Sequence, residues 1–395
     1  MRFRNQLMWT LVLQGAGAVA VFAAIVLLGS QLGPEAQGLF SRIKSELEFI
    51  AALSMFGMPQ AVFFFLSSRR MSRAAALKLG ARLAVVCVAV SSAYLAVNRS
   101  ADPLYWVLFA LASAAVVAHG ILRVIVLASF TTRVFNLVTA LPQIMVLLLV
   151  LVVVVGGSLA PWMVAAIFLV AFCGGSAFAW AALRAAAEPA GEAAAGSARP
   201  RELLAFGAAT WAVATLSTAT AVFWLRHTEA ALGLAAVGVF SMGLTLVQLV
   251  LTPINYAAPL LFKRWMGSPD SSHAIRWTLL AGLGVLCLIA PVLEIQGFFP
   301  VPEALTAYSS LRELRWPFAF SAVAEAMMRI AAVAANAAGT PWAPVLSELV
   351  RIVVLSLAVG FGAASNLVSV ATWWAAGAVL ATIALLMAVR RVNQA

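Results

Sequence analysis

The chain has 395 residues, of which 64% are hydrophobic and 10% are charged, and its formal net charge is +11. Soluble domains carry about 25% charged residues, so this composition excludes a water-soluble globular protein and predicts a polytopic membrane protein. The basic excess is typical of the cytoplasmic loops of such proteins, and no basic domain of the kind that binds nucleic acid is visible. We therefore expect membrane lipids, and no nucleic acid, among the partners.

The apolar segments predict an all-α fold, because a transmembrane helix needs about 20 apolar residues. Arginine and lysine gather before helix 1, between helices 2 and 3, and after helix 12, whereas alternate loops hold few. This asymmetry predicts that both termini are cytoplasmic. The twelve predicted helices cover residues 7–31, 40–66, 75–97, 103–128, 134–156, 160–184, 203–225, 234–262, 274–295, 308–337, 342–364 and 367–389.

A charged segment rich in alanine, glycine and proline, residues 185–202, interrupts the apolar rhythm at mid-chain. It predicts a cytoplasmic linker between an N-terminal lobe, 1–184, and a C-terminal lobe, 203–395. The two lobes show an internal repeat, since LGPEAQGLFS from Leu32 matches LGLAAVGVFS from Leu232 at an offset of 200. Lobes of six helices each are expected to be pseudo-symmetric about an axis along the membrane normal and to enclose a cleft for alternating access.

Two arginines lie deep inside predicted spans. Arg329 follows Glu325 by one helical turn in helix 10, and an offset of 206 aligns Arg123 with Arg329 and His119 with Glu325. A central arginine costs at least about 2.5 kcal/mol in a membrane, so it faces protein or a wet cavity. The matched positions favour a cavity in which Arg123 and Arg329 bind phosphate or pyrophosphate, a task that suits the guanidinium fork.

Other charged and polar residues allow two interpretations. Glu325 with Arg329, and Glu348 with Arg351, are spaced as ion pairs that lock helices 10 and 11 together; alternatively, Arg351 binds substrate and the two acids, the only deep ones predicted, couple transport to an ion. The first turns of helix 2 either project beyond the membrane or border the cleft. The further candidates for substrate binding are Arg42 and Lys44 in helix 2, Gln14 in helix 1 and Asn255 in helix 8.

Helices 2 and 8 carry helix-breaking residues in corresponding places: Gly57 and Pro59 in the first, and Pro253 and Pro259 in the second. Such matched breaks are typical of the moving elements of transporters, although ordinary packing kinks have the same composition. No nucleotide-binding, hydrolase or metal-ligand motif is present. We therefore expect a transporter without a cofactor rather than an enzyme, with these four residues as hinges.

The stretch from Leu32 to Leu66 resembles Wzx-type oligosaccharide flippases of the multidrug/oligosaccharidyl-lipid/polysaccharide (MOP) exporter superfamily, through Gly33, Gly38, Phe40 and Gly57. The resemblance implies a transporter of the bacterial inner membrane that moves an undecaprenyl-pyrophosphate-linked oligosaccharide for polysaccharide or O-antigen biosynthesis, coupled to a proton or sodium gradient. Other membrane proteins of glycan assembly are then expected partners. The alternatives are a cation-coupled multidrug antiporter or a lipid II flippase of the same superfamily, or a membrane-embedded glycan polymerase or ligase.

Overall fold

In the computed structural model, the described residues are 3–98, 102–130, 132–185, 200–265, 276–287, 308–362 and 365–392, and they contain helices but no strand. Their order along the chain follows the predicted spans closely. The helices are α1 (Phe3–Met55), α2 (Met58–Ser67), α3 (Arg73–Val97), α4 (Pro103–Ser129), α5 (Thr132–Val155), α6 (Pro161–Ala185), α7 (Pro200–Leu232), α8 (Leu234–Trp265), α9 (Arg276–Cys287), α10 (Leu311–Ala337), α11 (Ala343–Gly360) and α12 (Leu367–Val392).

Ten helices of the described part of the chain are long and apolar enough to cross a membrane. The difference from twelve predicted spans has a simple origin. Helix α1 joins predicted helix 1 to the first part of predicted helix 2, and the short helices α2 and α9 are parts of predicted helices 2 and 9. The fold therefore confirms the prediction of an all-α polytopic membrane protein with about twelve transmembrane helices in two pseudo-symmetric lobes.

Two glycines at equivalent positions of the repeat bend the chain in the same way. Gly33 interrupts α1 with φ 86°, and Gly233 separates α7 from α8 with φ 84°. A positive φ of this size is accessible to glycine without the steric penalty that other residues incur. The two glycines that match at the offset of 200 therefore also share a positive φ.

The same repeat produces a reciprocal crossing of two helices. A Cβ atom added to Gly38 would collide with the carbonyl oxygen of Leu234, and one added to Gly238 would collide with the carbonyl oxygen of Pro34. Glycine at both positions lets the second half of α1 and the start of α8 approach backbone to backbone, as small residues do in membrane helix packing. The two copies of one sequence motif therefore pack on each other.

The chain divides into two compact units. Unit 1 contains Met1–Ala24 and Ile43–Ala219, and unit 2 contains Ile25–Arg42 and Thr220–Ala395. Helices α1 and α7 are each shared between the units. Residues 186–199 of the predicted linker lie outside the described residues, so the predicted lobe boundaries stay a prediction.

Each unit is organised around one central helix. In unit 1, α4 packs against α2, α3, α5 and α6, and in unit 2, α10 packs against α8, α11 and α12. Gly80 of α3 faces Ile121 of α4, and Gly282 of α9 faces Met327 of α10. Ile121 and Met327 are matched at the offset of 206, so the helices that carry Arg123 and Arg329 occupy equivalent positions in their units.

Candidate functional site

A buried carboxylate in unit 2 joins two arginines from neighbouring helices. Nη2 of Arg329 lies 3.3 Å from Oε2 of Glu325 on the same helix, α10, and Nη2 of Arg351 on α11 lies 3.0 Å from Oε1 of Glu325. The side chains of Glu325 and Arg351 are both only 5% exposed. Because both carboxylate oxygens are paired, the free energy of burying the charge of Glu325 is largely offset.

Two amide side chains of α8 complete the surroundings of Arg329. Gln248 accepts a hydrogen bond from Nη2 of Arg329 at 2.8 Å and donates one to Oε2 of Glu325 at 3.3 Å. Asn255 accepts a hydrogen bond from Nη1 of Arg329. These amides lie seven residues apart, which is two helical turns, so they line one face of α8 opposite α10.

Arg351 is held from a second side by an aromatic ring of α12. Its guanidinium carbon lies 4.1 Å from the centroid of the Trp374 ring, a favourable cation–π distance. Glu348, one turn before Arg351 on α11, is also buried, and its Oε2 has no hydrogen-bond partner in the part of the chain that the structure describes. Within the described residues, these contacts bring together four predicted site residues: Asn255, Glu325, Arg329 and Arg351.

Arg329 is the charged group that this cluster presents outwards. Its side chain is 27% exposed, whereas those of Glu325 and Arg351 are 5% exposed, and Glu348 is buried. A ligand that approaches would therefore meet a guanidinium whose Nη1 is bound by a neutral oxygen. Such a group suits a phosphate oxygen, because a guanidinium binds an anionic oxygen more strongly than the neutral oxygen of an amide.

The equivalent position in unit 1 has different chemistry. His119 of α4, matched with Glu325, is buried and packs edge-on against Phe172 with ring centroids 5.4 Å apart. No described residue forms a hydrogen bond with the Nδ1 atom of His119. Arg123 lies one turn further along α4 and is partly buried. The arginine is thus repeated between the units, but the carboxylate that precedes it is not.

Gln14 belongs to a network of polar side chains in unit 1. It donates a hydrogen bond of 2.6 Å to Oδ1 of Asn136 on α5, and Asn136 donates one of 3.0 Å to the hydroxyl of Thr10. All three side chains are buried. The network fixes α1 against α5, and the predicted contact of Gln14 with substrate stays a prediction.

The charged stretch in the second half of α1 forms ion pairs within its own helix and with α7. Arg42 pairs at 2.5 Å with Glu229 of α7, and Lys44 pairs at 2.6 Å with Glu48, one turn away on a more exposed face. Glu46 is 1% exposed, so it is a third buried acid beside Glu325 and Glu348 among the described residues. Sequence spacing could not identify this burial because every turn of the stretch carries a charge. Substrate binding by Arg42 and Lys44 stays a prediction.

The predicted hinges differ in structure. Gly57 has φ 68° and separates α1 from α2, with Pro59 in the first turn of α2. Gly57 lies close to the carbonyl oxygen of Gly207 in α7. Helix α8 instead continues through Pro253 and Pro259 from Leu234 to Trp265. A hinge role for these four residues stays a prediction.

Sequence reasoning missed the residues that hold the arginines in place. Gln248 and Trp374 each act on an arginine of another helix, and periodicity along one helix does not reveal such partners. The only signal was a polar amide within an apolar span for Gln248, and none was present for Trp374. In the part of the chain that the structure describes, no group of three or more His, Cys, Asp or Glu could hold a metal ion.

Comparison with known proteins shows the fold. No family model and no curated protein matches the sequence. An inward-facing multidrug resistance MATE family transporter of the MOP superfamily has a TM-score of 0.72 at 15% identity, over 95% of this chain and 95% of that chain. A MATE in complex with Br-NRF has a TM-score of 0.67 at 16% identity, over 100% of this chain and 95% of that chain.

A third solved structure differs in the properties of its binding pocket. It is a MOP superfamily transporter from Pyrococcus furiosus, with a TM-score of 0.68 at 16% identity, over 98% of this chain and 94% of that chain, and its pocket is described as having reverse polarity that suggests a different function. The chain has the fold of a MATE transporter. Because the three identities are 15–16%, substrate class has to be argued from the side chains of this chain.

Proposed function

We propose that the protein is a transporter that carries an undecaprenyl-pyrophosphate-linked oligosaccharide across the bacterial inner membrane by alternating access. The observation that supports this proposal most strongly is the partly exposed guanidinium of Arg329 within an apolar helix. A deep arginine is costly in a membrane and is usually found where it has a function. Pyrophosphate is the anionic group of this substrate that such a guanidinium would bind.

The proposed roles of the other charged residues follow from their contacts. Arg351 is buried between Glu325 and Trp374, so we assign it to holding Glu325 rather than to contacting substrate. Arg123 is proposed as a further contact for the anionic headgroup during the cycle, because it occupies the position on α4 that Arg329 occupies on α10.

Glu348 is the better candidate for coupling transport to a proton or sodium gradient. Among the described residues, one of its carboxylate oxygens has no hydrogen-bond partner, whereas both oxygens of Glu325 are bound to arginine. Binding a cation stabilises a buried carboxylate with an unsatisfied oxygen more than it stabilises a carboxylate that is already paired. We therefore assign Glu325 to holding Arg329 rather than to binding the coupling ion.

A multidrug antiporter is the second candidate, because two of the three solved structures of this fold described above are MATE transporters, one of them named for multidrug resistance. A cationic drug would require exposed acidic side chains at the binding site. In the described part of the site, the acids are buried and the exposed charge is Arg329. This difference favours an anionic substrate.

The test is a strain that lacks this gene, complemented with the wild-type chain, with Arg329→Ala or with Arg312→Ala. Arg312 is exposed in the first turn of the same helix and is the matched control. We expect carrier-linked oligosaccharide to accumulate on the cytoplasmic side and surface glycan to be lost, with rescue by the wild type and Arg312→Ala only.

Other outcomes would identify the alternatives. Accumulation on the periplasmic side would indicate a polymerase or ligase. Normal surface glycan together with increased sensitivity to cationic drugs would contradict the flippase proposal and favour the antiporter.

A further inference from the structure

The two amides that contact Arg329 differ in whether they can turn. A guanidinium only donates hydrogen bonds, so the amide atom that faces it must be oxygen. For Gln248 this orientation also directs its nitrogen to Oε2 of Glu325. Turning the amide would bring oxygen towards carboxylate and nitrogen towards guanidinium, so Gln248 is fixed by both neighbours.

Asn255 has no such second constraint. Among the described residues its one side-chain hydrogen bond is the bond that its oxygen accepts from Nη1 of Arg329. Asn255 is partly exposed, as is Arg329. Half a turn about the last side-chain bond would exchange its oxygen for its N–H group, a rotation that is soft for asparagine. Nη2 of Arg329 remains held by Glu325 and Gln248 throughout.

The chemistry of an arriving oxyanion favours this exchange. A phosphate oxygen bound to Nη1 forms a hydrogen bond between opposite charges, which is stronger than the bond from the guanidinium to the neutral amide oxygen that it replaces. The displaced amide can then donate its own hydrogen to the same anion, because an amide carries both donors and an acceptor. A cationic ligand gains neither interaction.

We propose that Asn255 is the exchange position of the site: its oxygen occupies Nη1 of Arg329 in the empty protein, and a phosphate or pyrophosphate oxygen replaces it. Gln248 is a positioning residue that keeps Arg329 in place, because it accepts a hydrogen bond from Nη2 of Arg329 and donates one to Glu325. This inference rests on the proposed function, because it requires an oxyanion at Arg329. It also gives the site selectivity for anions, since a ligand binds most tightly when it accepts hydrogen bonds from both Arg329 and the turned amide.

The test is calorimetric titration of the full chain in phosphatidylcholine nanodiscs with inorganic pyrophosphate. We expect Asn255→Asp to weaken binding about ten-fold or more, because a carboxylate stays paired with Arg329 and repels the anion. Asn255→Ala removes both the competing oxygen and the later donor, so its affinity should stay within about three-fold of the wild type. Asn366→Asp makes the same change at an exposed helix cap, where Asp also caps well, and should bind like the wild type.

Equal affinity of Asn255→Asp and the wild type would overturn the exchange role, as would a loss in Asn255→Ala as large as that in Asn255→Asp. Thermal unfolding of each variant shows whether it is folded. If Asn255→Asp does not fold, the uncharged Asn255→Ala decides, since a ten-fold loss there contradicts the proposal. Absence of binding to the wild type, or unchanged binding to Arg329→Ala, would instead refute the anion site itself and the exchange role with it.

Discussion

The central helices of the two units, α4 and α10, have similar packing but differ in their charged residues. On α4, His119 packs against Phe172 one turn before Arg123. On α10, the matched Glu325 binds both Arg329 and Arg351. Ile121 of α4 and Met327 of α10, which match at the offset of 206, each pack against a glycine of a neighbouring helix, so this packing is similar in the two units while their electrostatics differ. Equivalent position in a repeat therefore does not imply equivalent chemistry.

The largest expected effect comes from making unit 2 resemble unit 1 through Glu325→His. This change leaves the buried Arg351 without its carboxylate, and removing one member of a buried ion pair costs about 3–5 kcal/mol. Thermal unfolding in detergent measures the loss, with Glu313→Ala, at an exposed position in the first turn of α10, as the control. If the two variants have equal stability, Glu325 is not the residue that holds the cluster together.

The support of Arg351 from α12 is tested by Trp374→Leu. A desolvated cation–π contact is worth about 2 kcal/mol, and lost packing adds to it. Trp342→Leu removes an exposed indole and should have a much smaller effect on the unfolding temperature. A similar loss in both variants would show that the ring does not stabilise the arginine.

The packing that the repeat produces is tested at the crossing of α1 and α8. Gly38→Ala and Gly238→Ala should each destabilise by about 1–3 kcal/mol, because the added methyl group overpacks a backbone contact. Gly15→Ala on α1 meets no atom within 4 Å and should be neutral or stabilising. Unequal costs at Gly38 and Gly238 would contradict the symmetry of the crossing.

The smallest effect is expected at the exposed ion pair of unit 1. Lys44→Ala should cost about 0.5 kcal/mol or less, since exposed pairs one helical turn apart contribute little. Arg42→Ala leaves the half-buried Glu229 without its partner and should cost more. Transport assays on Lys44→Ala then test its predicted role at the substrate: transport at the wild-type rate would remove Lys44 from the site.

The sequence allowed some of this arrangement to be predicted and not the rest. Apolar length located the spans, and the spacing of Glu325 and Arg329 located an ion pair on one helix. The partner of Arg42 was not predictable, because Glu229 is 187 residues away on another helix. Gln248 and Trp374 escaped for the same reason: periodicity identifies the faces of a helix but not which faces meet.

The most direct test of the central claim is translocation by the purified full chain in proteoliposomes. A fluorescent polyprenyl-pyrophosphate oligosaccharide and a cationic dye are offered in parallel, and the leaflet of each is read with a membrane-impermeant quencher. We predict that the wild type moves the lipid-linked glycan and not the dye, and that Arg329→Ala slows the movement about ten-fold, as expected for loss of a charge-assisted hydrogen bond. Movement of the dye alone, or an Arg329→Ala variant as fast as the wild type, would contradict the account.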